Sequence, residues 1–104
     1  MPVTLLITNR TDRRGGAGCS VRVRTYEGAL KTAISIGPLD LYKDNALINP
    51  GETRQIIVNE NVLVKADPVG IDLRGASGYV ERVRTATVHI EIEVNRRGDS
   101  LQLA

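Results

Sequence analysis

The most constraining stretch of the chain is Tyr79 to Val94, YVERVRTATVHIEIEV, which contains no Gly, Pro, Asn or Asp. From Val88 onward the alternation is strict, with Val88, Ile90, Ile92 and Val94 on one side and His89, Glu91 and Glu93 on the other. That period of two is the pattern of a half-buried strand. Upstream the phase slips, because Val80, Arg82 and Arg84 share one parity while Val83 takes the other. A straight strand over the whole stretch would run roughly 50 Å, at about 3.3 Å per residue, whereas a compact domain of this length has a radius of gyration of about 13 Å. The stretch therefore either bends at a bulge near Arg84 to Thr87 or projects beyond its own domain toward a partner.

Composition supports an all-β reading. The chain of 104 residues is 41% hydrophobic and 25% charged, and Tyr supplies all 3 aromatic residues, with Phe and Trp absent. Small branched side chains must fill the core, and Val, Ile and Thr suit a pleated surface. At this length residues 1–104 form a single domain. The 14 basic residues nearly balance the 12 acidic ones, which leaves a formal charge of +2, too even for a strong nucleic-acid field. Cys19 is the only cysteine, so no internal disulfide forms, and a buried structural thiol is the expectation. The opening MPVTLLITNRTD lacks the basic start and long apolar run of a signal peptide, and no segment reaches the roughly 18 consecutive apolar residues of a membrane span. These features predict a protein made and kept in a cytosol, or assembled there into something larger.

Taken in order, Val3 to Thr8 reads as a strand, followed by a loop of turn formers and positive charge, Asn9 to Gly18. Ser20 to Tyr26 resumes the alternation. Ala29 to Ile36 fits a strand or one face of a short helix, and Leu39 to Ile48 reads as a strand fragment plus a turn. Asn49-Pro50-Gly51-Glu52 has the chemistry of a type II turn, with Pro fixing φ at the second position and Gly accepting positive φ at the third. Thr53 to Val58 and Val62 to Ala66 then read as the arms of a β-hairpin closed through Asn59-Glu60-Asn61. Gly70 to Leu73 is a further short strand. The polar tail 95–104 ends in Leu101 and Leu103, which suit an edge strand. Short strands with turn signals roughly every 8 to 12 residues predict an antiparallel β-sandwich, Ig-like or jelly-roll-like, of about seven to eight strands.

No constellation of catalytic residues is present: there is no Gly-rich phosphate loop, no GxSxG, and no plausible acid and base pair. His89, Glu91 and Glu93 share one side of a strand, but the chain has no second His to complete a metal site. The simpler reading is a charged outer face on which Glu91 and Glu93 pair across strands with Arg22, Arg24, Arg82 or Arg84. Those six residues are the candidate partner-binding set. The echo between Arg22-Val23-Arg24-Thr25 and Arg82-Val83-Arg84-Thr85 suggests two similar strands, each presenting a pair of Arg. Arg97-Gly98-Asp99-Ser100 matches the adhesion tetrapeptide RGDS, though a plain exposed turn is the favoured reading. For nucleic acid the Arg clusters offer phosphate contacts, but Tyr26, Tyr42 and Tyr79 are scattered rather than grouped as a stacking platform.

The opening VTLLITNRT, the central INPGETRQIIVNENVLVKADP and the late HIEIEVN together resemble the small, turn-rich β proteins of tailed-phage particles, the decoration or cement proteins and other accessory virion subunits. The resemblance implies a non-enzymatic subunit located in the virion and assembled in the host cytoplasm. It further implies a partner such as a major capsid protein, engaged by strand addition or an oligomeric contact, and no cofactor. A long alternating strand is a candidate for pairing with another chain's edge, and Arg-rich and Glu-rich faces can register copies of a homo-oligomer. The alternative is a nucleic-acid or polyanion-binding module using Arg10, Arg13, Arg14, Arg22 and Arg24. A third reading is a metal-dependent enzyme centred on His89.

Overall fold

The computed structural model describes residues 3–13, 18–27, 44–58, 61–80 and 89–104. Eight strands follow in order: β1 Val3–Asn9, β2 Ser20–Glu27, β3 Asp44–Ile48, β4 Thr53–Val58, β5 Val62–Val69, β6 Ala76–Val80, β7 His89–Arg97 and β8 Ser100–Leu103. They form two four-stranded sheets, β4-β1-β7-β8 (sheet A) and β3-β2-β5-β6 (sheet B). The molecule measures 38 × 31 × 19 Å. The short dimension suits two sheets about 10 Å apart with their outward side chains.

Alternation along each strand decides what is buried. Leu5 and Ile7 of β1, Ile56 and Val58 of β4, Ile92 and Val94 of β7 and Leu101 of β8 face Val21 and Val23 of β2, Ile48 of β3, and Val62, Val64 and Ala66 of β5. The interior is thus filled by branched aliphatic side chains, as the missing Phe and Trp require, and Cys19 is buried at its margin. The fold is the expected all-β sandwich. Among the described strands all pairings but one are antiparallel; the exception is β1 against β7, which are parallel with Leu5 opposite Ile90 and Ile7 opposite Ile92.

The turn at Asn49 to Glu52 forms as its sequence predicts. Gly51 has φ of 83° and the Glu52 amide donates to the Asn49 carbonyl at 3.0 Å. A side chain with a Cβ is strained at such a φ, so Gly51→Ala is expected to lower stability by about 1 to 2 kcal/mol, read as a shift in the urea midpoint at constant slope.

Two expectations are corrected. Thr53–Val58 and Val62–Ala66 are strands but not hairpin arms: β4 pairs with β1 in sheet A, and β5 pairs with β2 and β6 in sheet B. Alternation reports which face of a strand is buried and not which strand lies beside it, and both strands bury the same parity in one core. Gly70 to Leu73 is not a strand. Gly70 takes φ of 78°, which breaks the extended path, and the next strand begins only at Ala76. The two ends of the Tyr79 to Val94 stretch lie in different sheets: Tyr79 and Val80 end β6 in sheet B, and His89 to Val94 belong to β7 in sheet A. The anticipated bulge at Arg84 to Thr87 lies outside the described residues, as do the Ala29 to Ile36 segment and the beginning of Leu39 to Ile48.

The two sheets are fastened to each other along both sides. On one side Arg54 of β4 donates through Nη2 to the Leu47 carbonyl of β3 at 3.1 Å. On the other, the Arg74 amide donates to the Asp99 carbonyl at 3.0 Å and the Leu101 amide to the Arg74 carbonyl at 2.8 Å, so Arg74 covers part of the β8 edge. Such covers blunt strand edges that would otherwise template further pairing.

Candidate functional site

Residues of odd number on β2, β3, β5 and β6 do not all point alike, because each strand sets its own phase; the register decides. On sheet B the outward positions of β2 are Ser20, Arg22, Arg24 and Tyr26, since Val21, Val23 and Thr25 are buried. Arg22 lies between Leu47 of β3 and Asp67 of β5, and Arg24 lies between Asn45 and Lys65. Tyr26 is opposite Leu63, which in turn is opposite Tyr79 of β6. Sheet B therefore presents, row by row, Leu47-Arg22-Asp67, then Asn45-Arg24-Lys65-Ser77, then Tyr26-Leu63-Tyr79.

Charge on this face is unevenly compensated. Arg24 approaches Asp67 at 3.8 Å, with both side chains about one-third exposed. Arg22 donates through Nη1 to the neutral Asn45 Oδ1 at 2.9 Å. That bond holds the guanidinium toward β3 without cancelling its charge. Exposed aliphatic residues flank the basic rows: Leu47 is 39% and Val69 40% exposed, and Ile71 just beyond β5 is 40% exposed. Tyr26 and Tyr79 are half-buried on either side of Leu63, which is only 8% exposed although it stands outside the main core.

Sheet A shows a different outer surface. His89, Glu91 and Glu93 of β7 face outward beside Thr4, Leu6 and Thr8 of β1, and beyond them lie Ile57, Gln55 and Thr53 of β4. Glu93 is held by Arg13, whose Nη2 donates to Oε2 at 2.9 Å. The two side chains are 53% and 39% exposed, and a surface pair of this kind stabilises by under about 1 kcal/mol. Thr8 and Thr53 hydroxyls meet at 2.8 Å.

The candidate partner-binding residues are thus divided. Arg22 and Arg24 lie on the outer face of sheet B, while Glu91 and Glu93 lie on the opposite outer face, so the expected cross-strand pairing between those sets is corrected: Arg24 approaches Asp67 on its own sheet, and Glu93 is held by Arg13. Arg82 and Arg84 lie outside the described residues. The polyanion set is divided too, since Arg13 sits over sheet A on Glu93 and Arg22 and Arg24 are on sheet B, while Arg14 is outside the described residues. His89 is exposed, and among the described residues no three His, Cys, Asp or Glu side chains gather to hold a metal ion. Arg97 to Ser100 forms the tight turn between β7 and β8, with Gly98 at φ of 62° and Arg97 paired with Ser100.

Two features were missed by reading along the chain. The aliphatic flank of sheet B, Leu47 and Val69, carried a signal in strand parity, but only the register joins it to Arg22. Asn9 and Thr11, read as loop formers, are buried instead. The Asn9 amide nitrogen donates to the Cys19 and Ile48 carbonyls at 2.8 and 2.9 Å, and its Oδ1 accepts from the Thr11 amide and hydroxyl at 3.0 and 2.7 Å. This buried polar knot ties the end of β1 in sheet A to the entrance of β2 and the exit of β3 in sheet B.

No family model and no curated protein matches the chain. It is similar in structure to Serratia marcescens Lip, a membrane-bound component of the type VI secretion system, with a TM-score of 0.56 and 12% identity over 99% of this chain and 95% of that one. At that identity the likeness shows the fold, a two-sheet β-sandwich. It does not bear on the phage accessory proteins that the sequence resembles. The expected location in a virion is corrected by this finding: the protein found to share the fold is a membrane-bound secretion component and not a capsid protein.

Proposed function

We propose that this chain is a non-enzymatic interaction subunit that takes its place in a multi-protein assembly, with the bacterial cell envelope as its setting. The observation that carries the reading is the make-up of the outer face of sheet B, where arginine and lysine stand among exposed aliphatic side chains on a rigid sheet. Arg and Tyr are enriched where proteins meet, and a mixture of apolar area with a few fixed cations is what a docking surface requires. The likeness to a component of a secretion machine supports the same reading. The fold itself is shared by many functions, so the argument rests on the surface rather than on the architecture.

The test is chemical cross-linking in intact cells of the organism that makes the protein, followed by immunodetection of the chain. The expected result is a discrete species well above 11.3 kDa that contains another protein. Recovery of the free chain alone, at cross-linker levels that trap known complexes of the same cells, would overturn the proposal.

A further inference from the structure

We propose that the outer face of sheet B is the docking surface itself and that its occupant is an acidic protein surface, with Arg22 as the anchor. The inference rests on the reading above and adds to it the face and the chemistry of the partner.

The first ground is charge. Among the described residues of these rows, Arg22, Arg24 and Lys65 stand with one carboxylate, Asp67, which lies 3.8 Å from Arg24. Among the described residues Arg22 bonds only to the neutral Asn45 amide, so its positive charge is left for a partner. Its planar fork fits a carboxylate through two parallel hydrogen bonds, and the Asn45 contact already fixes its orientation, which lowers the entropy lost on binding.

The second ground is the apolar flank. Leu47 is the direct cross-strand neighbour of Arg22, and Val69 stands on the same face at the end of β5. Both are about two-fifths exposed. A cation beside exposed aliphatic groups suits a protein partner, whose surface offers carboxylates and apolar atoms together. A nucleic acid fits less well. Phosphates gain nothing from Leu47 or Val69, and Tyr26 and Tyr79, the described tyrosines of this face, are half-buried rather than standing free as a stacking platform.

The third ground is the contrast between the two faces. On sheet A Glu93 is matched by Arg13, and the exposed Glu91 stands beside it on the same strand, so that face, which also carries Ile57 at 55% exposure, offers acidic groups where sheet B offers Arg22 and Lys65. The extent of the molecule in its two long directions, 38 × 31 Å, leaves room for the roughly 800 Å² per partner that a stable interface buries.

The experiment places the photo-cross-linking residue p-benzoylphenylalanine at Leu47, at Val69 and, on the opposite face, at Gln55, in the full chain expressed in its own cells. The expected result is a protein adduct from positions 47 and 69 but not from 55, mapped on the partner to a segment bearing Asp or Glu. Arg22→Glu, in a chain whose melting is unchanged, is expected to cut the adduct from position 47 about tenfold or more, and replacing the mapped acidic residue by Arg is expected to restore it. Adducts from position 55 alone would overturn the assignment of the face while leaving the interaction subunit standing. No protein adduct from any position would overturn both. An adduct to nucleic acid, or to a second copy of this chain, would overturn the acidic protein partner, and so would a full yield from Arg22→Glu.

Discussion

Replacing Asn9 by Leu is expected to destabilise the protein by about 3 to 5 kcal/mol, a large share of the roughly 5 to 15 kcal/mol that holds a domain together. The side chain is fully buried, and leucine keeps its branching and heavy-atom count but is larger, so the loss combines missing hydrogen bonds with some overpacking. Without the amide, the Ile48 carbonyl and the Thr11 amide lose their partners at 2.9 and 3.0 Å. The Thr11 hydroxyl has one proton; it now points to Asn9 Oδ1 at 2.7 Å and can swing to the Cys19 carbonyl at 3.0 Å, so that pair is rescued. Each remaining buried group left unpaired costs about 1 to 3 kcal/mol. Asn9→Asp gives a sharper signature. A carboxylate there would face the Cys19 and Ile48 carbonyl oxygens, which raises its folded pKa above the unfolded value of about 3.9. A raised acid pKa means that the folded form prefers the proton, so the deficit of this variant relative to the parent is smallest below about pH 4. It grows as pH rises through the folded pKa. Urea unfolding at several pH values reads both effects.

A second large effect separates two leucines that are neighbours in sequence. Leu5 is fully buried in the core, whereas Leu6 lies on the outer face of sheet A opposite Gln55 and Glu91. Leu5→Ala is expected to cost about 2 to 5 kcal/mol, from lost transfer energy and the cavity left behind. Leu6→Ala is expected to cost about 1 kcal/mol or less, because its neighbours on that face are solvated. A one-residue slip of β1 would exchange the two results, so the pair also tests the register. Thermal melting resolves the difference, since each kcal/mol moves the midpoint by about 4 to 8 °C in a domain of this size.

What could be read along the chain was local. Pro50 and Gly51 announced their turn, Thr53 to Val58 was found with the limits it has, and the alternation of Ile92 and Val94 against Glu91 and Glu93 gave the inward and outward sides of β7. What could not be read was which strand lies beside which. The burial pattern of Thr53–Val58 and Val62–Ala66 is the same whether they pair as a hairpin or belong to opposite sheets around one core, and the structure takes the second form. Asn9 illustrates the same limit in a polar residue. Asn favours turns because its side chain bonds nearby backbone, and here it does bond Thr11, but the two carbonyls it also reaches come from residues far along the chain. For the candidate site, Arg22 and Arg24 were recognisable as an outward pair. Their separation from Glu91 and Glu93 was not, because alternation gives the same outward position on either sheet. Leu47, Lys65 and Val69 join the site only through the pairings of β2 with β3 and β5.

The account turns on an inequality between the two outer faces, and native electrophoresis of gently lysed producing cells tests it most directly. A chain carrying Arg22→Glu and Lys65→Glu is expected to leave its assembly and run near its own 11.3 kDa, while a chain carrying Glu91→Lys runs with the assembly as the parent does. Release by Glu91→Lys, with the sheet B variant still bound, would contradict the account.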